Sequence, residues 1–465
     1  MKHVPVILIL LAVLLFRMAP NVAPDPYVYD EADYMYAASL GLAANYTDTP
    51  TLPLAEFVQT GLARGRNLSQ RQALSEQIRA GHDVVFYRHW HGPLYLCILI
   101  PVSRLGLSER QVRTAMLAIP ALTLLAIYCG CLWLIPGSAG TFAALGSSLL
   151  FLFGSVNAST ELAPHHLFAL LSAGFLFILS RFAASGRRIY WYGAVVFAGL
   201  AFCTLEVSFV LILTLAICAF VERRRLEADW RLAGKSIALF IATVLLVWPA
   251  AFYKLSFVKG YLFMAYLALF RKSPWGTENF FEVWGHRVLN SPLEWIAILA
   301  GVFLYFRHSG ENTRHIAYPF LIYAILMLAA TARVLTSSAR YSLLFMPALD
   351  IFAALTLVPF LMAAPRRVMY AALALFCGFF GLTEYRLFNR NPKIQDPRPP
   401  AVLNYIREHQ LQENTLLVPQ EDLPMIHYYF PRMHLRGYSD PGPGPSSPDH
   451  EILYRGYPLR IESPR

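Results

Sequence analysis

The path of this chain through a membrane depends on residues 93–107, which read PLYLCILIPVSRLGL. The stretch is apolar, but its 15 residues are fewer than the ~20 that a membrane-spanning helix needs. If the stretch crosses the bilayer, the basic loop at Arg223–Arg225 lies outside the cytoplasm; if it only dips into the outer face, that loop lies inside. Because basic loops favour the cytoplasmic side, the sequence favours the dip.

The composition is that of a membrane protein. Hydrophobic residues make up 56% of the 465 residues and charged residues only 15%, whereas a soluble domain carries about 25% charge. Much of the net charge of +10 lies in short loops such as Glu222–Arg225, where it indicates topology and not a nucleic-acid partner. The six cysteines all lie inside apolar runs, which argues against a disulfide framework and a metal cluster. The predicted surrounding is therefore the lipid bilayer.

The apolar runs predict an all-α polytopic fold with about eleven transmembrane helices. The first run, Val4–Phe16, can be a signal peptide or a first span; Arg17 and the lack of a small-x-small cleavage site favour a retained span. With residues 93–107 as a dip, the further spans lie at about 112–134, 139–157, 165–183, 190–205, 207–221, 236–253, 292–306, 316–333, 343–363 and 368–383. Every short inner loop except Pro136–Gly140 is then basic, so this topology is self-consistent.

Two extramembranous regions are predicted on the outer face. Residues 21–92 form a long polar first loop with helices at 31–44 and 68–80. The transmembrane region to which this loop belongs spans residues 1–385. Residues 386–465 form a small α/β tail. Its predicted elements are a helix at Pro400–His409 and strands at Thr415–Val418 and Leu435–Tyr438.

This topology gathers polar and ionisable side chains at one water–lipid boundary, where such groups are functional candidates. They are Asp30, Glu31, Arg88, His89, His91, Glu161, His165, His166, Glu206, Lys254, Lys259, Arg271, Lys272, Arg333, Arg340 and Tyr341. Structural roles remain alternatives: Asp30 and Glu161 can cap helices, the two adjacent histidines can be ordinary interfacial residues, and Arg340 can snorkel. Glu206 is harder to explain structurally, because a bare carboxylate at this depth is unfavourable.

Four short segments resemble motifs of the integral-membrane GT-C glycosyltransferases, in particular the protein O-mannosyltransferases and lipid A aminoarabinose transferases. In order, they are Asp30-Glu31-Ala32-Asp33-Tyr34, His91-Gly92-Pro93-Leu94-Tyr95, Glu161-Leu162-Ala163-Pro164, and Ala339-Arg340-Tyr341-Ser342-Leu343 with Pro347. The likeness covers roughly residues 1–385. One departure concerns donor binding: Thr204-Leu205-Glu206 stands where the aminoarabinose transferases have a Thr-Lys whose lysine holds the donor phosphate.

The resemblance implies transfer of a sugar from a polyprenyl-phosphate donor to an acceptor hydroxyl, with inversion at the anomeric carbon. Because phosphate is already a weak base, the leaving group needs no general acid, whereas the hydroxyl benefits from a base, for which Asp30 is the candidate. Glu31 and Glu161 are expected to orient the acceptor or share the proton. Arg340, or else Arg88, is expected to bind the departing phosphate. Tyr34, Trp90 and Tyr95 are candidates for stacking on the sugar or packing the isoprenoid.

No cofactor is expected, although a divalent metal held by carboxylates and imidazoles remains an alternative; its ligands would come from Asp30, Glu31, Glu161, His165 and His166. The acceptor can be a glycan, a lipid or a protein, and the expected location is a bacterial inner membrane with the site on its periplasmic side. A transporter or flippase of a lipid-linked sugar is the alternative function. It is disfavoured because the sequence shows no repeat and few mid-span charges. A non-catalytic assembly or sensor protein is a third class.

Overall fold

The structure is a computed structural model that describes two compact units. It covers residues 2–47, 91–154, 160–226, 230–252, 279–332, 339–365, 367, 374, 378, 398–419, 422–438, 451–454 and 461–462. The span unit comprises Met1–Asn21, Ala115–Pro249 and Met264–Pro392, and the loop–tail unit comprises Val22–Thr114, Ala250–Phe263 and Lys393–Arg465. The predicted helix at 68–80 and nearly all of the predicted span at 368–383 lie outside the described residues.

Helices, most of them apolar, make up the span unit. They are Val4–Met18, Ala118–Leu134, Gly137–Phe153, Pro164–Ser185, Arg188–Phe202, Phe209–Val221, Trp230–Val247, Phe280–Asn290, Pro292–Arg307, Glu311–Thr331 and Met346–Ala363, with a short helix at Arg223–Leu226. Short 3₁₀ turns at Ala19–Asn21, Glu206–Ser208, Pro249–Phe252 and Ala339–Leu344 connect some of them. Proline opens several of these helices, where its missing N–H costs nothing; Pro164 and Pro292 are examples.

Within the part of the chain that the structure describes, six helical stretches are long and apolar enough to cross a membrane. They are Val4–Asn21, Glu109–Leu134, Pro164–Ser185, Trp230–Val247, Glu311–Thr331 and Met346–Ala363, and a pair bent by 94°, Phe280–Leu289 with Pro292–Arg307, gives up to seven. The apolar stretch at 93–107 folds as the ten-residue helix Leu94–Ser103. The all-α polytopic class is confirmed, while the count of eleven spans stays a prediction.

The core of the span unit is aromatic, and small residues let two of its helices approach closely. Phe168, Phe175 and Phe182 recur along one side of the helix Pro164–Ser185 and are fully buried. At Gly301 in the helix Pro292–Arg307, an added Cβ would lie 2.9 Å from the Cα of Ala353 in the helix Met346–Ala363. Such close packing at small residues is a usual basis of association between membrane helices.

The loop–tail unit combines helices with a small sheet. Its helices include Tyr29–Thr47, Leu94–Ser103, Arg398–Glu408 and Leu423–Tyr429 and the start of Glu109–Met116, with a 3₁₀ turn at Leu411–Glu413. The strands β1 (Thr415–Pro419), β2 (His434–Tyr438), β3 (Glu451–Tyr454) and β4 (Ile461–Glu462) form one sheet of order β2-β1-β3-β4. Both neighbours of β1 run parallel to it, and β4 runs antiparallel to β3. The predicted small α/β tail is therefore confirmed.

Three helices carry candidate residues of the loop–tail unit and the side chains that hold them. The Asp30 helix is Tyr29–Thr47, the brace helix is Glu109–Met116 and the tail helix is Leu423–Tyr429. The Asp30 helix bends at Gly41, whose φ of +80° lies in the left-handed region that glycine adopts without strain. The tail helix is the crossover between the parallel strands β1 and β2, as parallel pairing requires.

Candidate active site

Two carboxylates occupy the first turn of the Asp30 helix. Carboxylates are favourable there because the amide N–H groups of the first turn carry partial positive charge. Asp30 is exposed, whereas the next residue, Glu31, is only 8% exposed. Since successive helix residues point about 100° apart, the two side chains face different surroundings.

The buried carboxylate of Glu31 forms an ion pair with Arg113 of the brace helix. The Arg113 Nε donates to Glu31 Oε1 at 3.1 Å and Nη2 donates to Oε2 at 2.5 Å. This is the bidentate geometry in which a planar guanidinium binds a carboxylate most strongly. The side chains are 4% and 10% exposed, so removing either partner would leave a buried charge without its counterion.

The same guanidinium fixes the segment that leads into the Asp30 helix. Arg113 Nη1 donates to the carbonyl oxygens of Ala23 at 2.9 Å and Asp25 at 2.7 Å, and Nη2 reaches that of Pro26 at 3.5 Å. Its Cζ also lies 4.9 Å from the ring centroid of Tyr27. Arg113 therefore holds both the entry to the helix and the carboxylate next to Asp30.

Aromatic rings surround the next turn of the Asp30 helix. The ring of Tyr34 lies 5.7 Å from that of His91 and 5.7 Å, edge-on, from that of Tyr95. Tyr34 and Tyr95 are both buried. The structure thus brings together three candidates that the sequence placed at opposite ends of the first loop.

In the span unit, His165 and Tyr341 lie together. Their rings are 5.3 Å apart at 83°, the edge-to-face arrangement that aromatic pairs prefer. Tyr341 belongs to the 3₁₀ turn Ala339–Leu344, where the Tyr323 hydroxyl donates to the Leu344 carbonyl at 2.6 Å. The guanidinium of Arg340 lies 5.4 Å from the ring of Tyr341. The ring of Tyr341 therefore contacts both the imidazole of His165 and the guanidinium of Arg340.

The remaining candidates of the span unit lie at helix ends. Glu161 is exposed, and it precedes the helix Pro164–Ser185, whose first turn holds His165 and His166, both buried. Glu206 is half-buried in the 3₁₀ turn Glu206–Ser208. The other predicted residues, Arg88, His89, Trp90, Lys254, Lys259, Arg271, Lys272 and Arg333, lie outside the described residues.

Sequence reasoning did not find three residues that organise this site: Arg113, Glu109 and Tyr429. The hydroxyl of Tyr429, in the tail helix, donates to Glu109 Oε1 at 2.9 Å and accepts the backbone N–H of Tyr27 at 2.9 Å. The available signal was the polar segment Glu109–Met116, a strongly amphipathic stretch directly before an apolar span. An amphipathic helix of this kind has one polar face, and Glu109 and Arg113 lie on it where they can form hydrogen bonds with other parts of the chain.

Burial sets the protonation of the phenols in this region. It raises the pKa of Tyr27 well above its ordinary value, and nearby Tyr428 raises it further while Arg113 lowers it. Burial likewise raises the pKa of Tyr429. Both phenols therefore stay protonated even above the ordinary tyrosine pKa of about 10 and are able to donate hydrogen bonds.

A metal site is not formed by the residues that the structure describes. Among them, no three His, Cys, Asp or Glu side chains come together in a way that would hold a metal ion. The chemistry at hand is that of carboxylates, guanidinium groups and aromatic rings.

Several apolar helices long enough to cross a membrane, together with one small sheet, define a multi-pass integral membrane protein. The sequence model of the family described as "Dolichyl-phosphate-mannose-protein mannosyltransferase" matches residues 90–248. The match takes in 159 of the 465 residues, from the end of the predicted first loop to the end of the helix Trp230–Val247.

Among solved structures, the chain is similar to that of ArnT from Cupriavidus metallidurans bound to undecaprenyl phosphate. ArnT is a GT-C lipid A aminoarabinose transferase. The TM-score is 0.53 at 15% sequence identity, over 93% of this chain and 86% of that chain. No curated protein matches the sequence. The family match and the shared fold confirm the resemblance to GT-C glycosyltransferases.

Proposed function

We propose that the protein is an inverting glycosyltransferase that moves a sugar from a polyprenyl-phosphate donor to an acceptor hydroxyl. The acceptor oxygen forms a bond to the anomeric carbon from the face opposite the phosphate. The bond between that carbon and the phosphate oxygen breaks, and its electron pair leaves with the polyprenyl phosphate. The Asp30 carboxylate accepts the hydroxyl proton as general base.

The observation that carries this proposal is the contrast between the two carboxylates of one helix turn. Glu31 is buried and ion-paired with Arg113, while Asp30 is exposed beside it. A base must reach a substrate hydroxyl within hydrogen-bond distance, and only the exposed carboxylate meets that condition. Glu31 then acts as a positioning residue, and the family match over residues 90–248 supports sugar transfer as the reaction.

Donor binding is assigned to cations and rings of the predicted motifs. The ArnT structure contains undecaprenyl phosphate, which supports a polyprenyl phosphate as the lipid part of the donor. Arg340, with Arg88 as second candidate, binds the departing phosphate by charge-assisted hydrogen bonds. Tyr34 and His91, whose rings are 5.7 Å apart, are assigned to the sugar, and the buried Tyr95 packs edge-on against the Tyr34 ring.

The remaining assignments follow the same scheme. Glu161 orients the acceptor. Glu206 is a substrate-binding residue, but its negative charge does not suit it to hold the donor phosphate as the lysine of the aminoarabinose transferases does. The proposed reaction needs no metal cofactor, because the departing phosphate is already a weak base and is therefore a good leaving group. The acceptor is a glycan, lipid or protein at the periplasmic side of a bacterial inner membrane.

The test uses the product common to every acceptor, free polyprenyl phosphate. Membranes containing the wild-type protein or Asp30→Asn receive polyprenyl-phosphate sugars, and mass spectrometry follows the polyprenyl phosphate released. Because general bases contribute on the order of 100-fold to 10,000-fold, the variant should lose at least about 100-fold in turnover. Asp33→Asn is the matched control, since it makes the same change one turn along the helix and should retain activity. Wild-type turnover by Asp30→Asn would exclude Asp30 as the base.

A further inference from the structure

The C-terminal tail reaches the entry of the Asp30 helix through one hydroxyl group. Tyr429 lies in the tail helix, 402 positions from Tyr27 along the chain. Its hydroxyl accepts the backbone N–H of Tyr27 at 2.9 Å and donates to Glu109 Oε1 at 2.9 Å. Tyr27 stands two residues before the Asp30 helix begins, so this hydrogen bond acts directly on the backbone that leads into the helix.

One face of the brace helix holds both the carbonyl groups and an N–H group of this backbone. Glu109 and Arg113 are four residues apart, which places them on the same helix face. Arg113 binds carbonyl oxygens of Ala23 and Asp25 directly. Glu109 acts on the Tyr27 N–H through the hydroxyl of Tyr429. Arg113 and Glu109, the latter through Tyr429, thus form a clamp on the backbone of residues 23–27. The part of this clamp that holds the Tyr27 N–H depends on Tyr429, a residue of the tail.

Ring contacts hold the tail helix in the same place. The ring of His427 stacks on that of Tyr36 at 5.3 Å and 21°, and the ring of Tyr428 meets that of Tyr27 edge-on at 5.4 Å. Tyr36 is itself part of the Asp30 helix. Since burial raises the pKa of Tyr429, its phenol keeps the proton that it donates to Glu109.

We propose that Tyr429 is a positioning residue for Asp30, so that the tail completes the active site and is not an independent appendage. The inference rests on the proposed function, in which Asp30 is the base. The hydrogen bonds of Tyr429 set where the Asp30 helix begins, and with it the position of the carboxylate. A base displaced by about 1 Å can lose on the order of 100-fold in rate, so a single lost hydrogen bond at this place is expected to lower turnover.

The first experiment compares Tyr429→Phe with Tyr405→Phe in the full-length protein in membranes. Both remove one hydroxyl from the tail, but Tyr405 lies in the helix Arg398–Glu408, where its ring stacks on that of His409. Tyr429→Phe should lower kcat by about tenfold to 100-fold and leave the KM for the polyprenyl-phosphate sugar unchanged. Tyr405→Phe should match the wild type. Native mass spectrometry with undecaprenyl phosphate counts the protein that is competent to bind, so that a loss of folded protein cannot imitate a loss of kcat. Unchanged kcat in Tyr429→Phe would overturn the proposal.

The second experiment does not require catalysis. Hydrogen exchange measured by mass spectrometry should be faster over residues 23–36 in Tyr429→Phe than in the wild type. Glu109→Ala should produce the same increase, and the double variant should add little, because all three break one chain of hydrogen bonds. If Asp30→Asn keeps wild-type turnover but exchange still rises in Tyr429→Phe, the proposed function fails while the clamp stands. If exchange is unchanged, the clamp itself is refuted.

Discussion

Glu31 and Arg113, 82 positions apart in sequence, form a buried bidentate ion pair with N–O distances of 3.1 and 2.5 Å. The pair gives the two neighbouring carboxylates of the Asp30 helix different surroundings. Glu31 is neutralised by its partner, whereas Asp30 remains exposed to water. Adjacent acidic residues thereby take separate roles, one in the structure and one in the proposed chemistry.

Removing Arg113 should strongly destabilise the loop–tail unit. Arg113→Leu would leave Glu31 buried without its counterion, and breaking a buried pair in this way costs about 3–5 kcal/mol. Arg110→Leu is the matched control on the same helix, because Arg110 is exposed and should change the free energy of unfolding by less than about 0.5 kcal/mol. Chemical unfolding in detergent measures both. Equal stability of the two variants would show that the pair contributes nothing.

Two glycines should respond in opposite ways to the same substitution. At Gly301, a Cβ would lie 2.8 Å from Thr356 Oγ1 and 2.9 Å from Ala353 Cα, so Gly301→Ala should cost about 1–3 kcal/mol through overpacking. At Gly285, in the helix Phe280–Asn290, a Cβ would meet nothing within 4 Å. Gly285→Ala should therefore stabilise by about 0.5–1 kcal/mol. Thermal midpoints in detergent distinguish these directions, and a stabilising Gly301→Ala would contradict the close helix contact.

Alkaline pH should destabilise the loop–tail unit through its buried phenols. In the unfolded chain Tyr27 ionises near a pKa of about 10, whereas burial raises its pKa in the folded protein. Above about pH 10 the unfolded state therefore binds fewer protons, and the free energy of unfolding falls by up to about 1.4 kcal/mol per pH unit. Below that pH, Tyr27 has no effect. Unfolding of wild type and Tyr27→Phe between about pH 8 and pH 11 tests this, because the variant should lose part of the slope.

The contact between His165 and Tyr341 should depend on the tyrosine ring. Tyr341→Phe keeps the edge-on pair at 5.3 Å and should retain more stability than a variant without the ring. Tyr341→Ala loses the pair, which is worth about 0.5–1.5 kcal/mol beyond the buried area. It should also weaken the binding of undecaprenyl phosphate, since Tyr341 adjoins Arg340 in the proposed donor site. Thermal midpoints and native mass spectrometry measure the two effects. Equal behaviour of the two variants would show that the ring pair does not matter.

Some of the candidate site was predictable because its signal is local. Asp30 stands out in the sequence because it opens the acidic motif Asp30-Glu31-Ala32-Asp33-Tyr34 at the start of the first outer loop. Tyr34, His91 and Tyr95 belong to short motifs, and the structure brings their rings together. The role of Glu31 was not predictable, because its partner Arg113 shares no motif or regular spacing with it. Nothing in the sequence near Tyr429 indicates the hydrogen bond that it makes to Tyr27.

The sequence by itself determined the class of the fold and the positions of most helices. Apolar runs of about 20 residues have few alternatives to helices in lipid, because every backbone polar group must find its partner within the segment. The tertiary structure alone decided which of two adjacent carboxylates is exposed and that the tail reaches the backbone leading into the Asp30 helix. Those outcomes depend on hydrogen bonds between groups 82 and 402 positions apart. Such long-range contacts follow from how the helices pack in space, and no periodic pattern in the sequence indicates them.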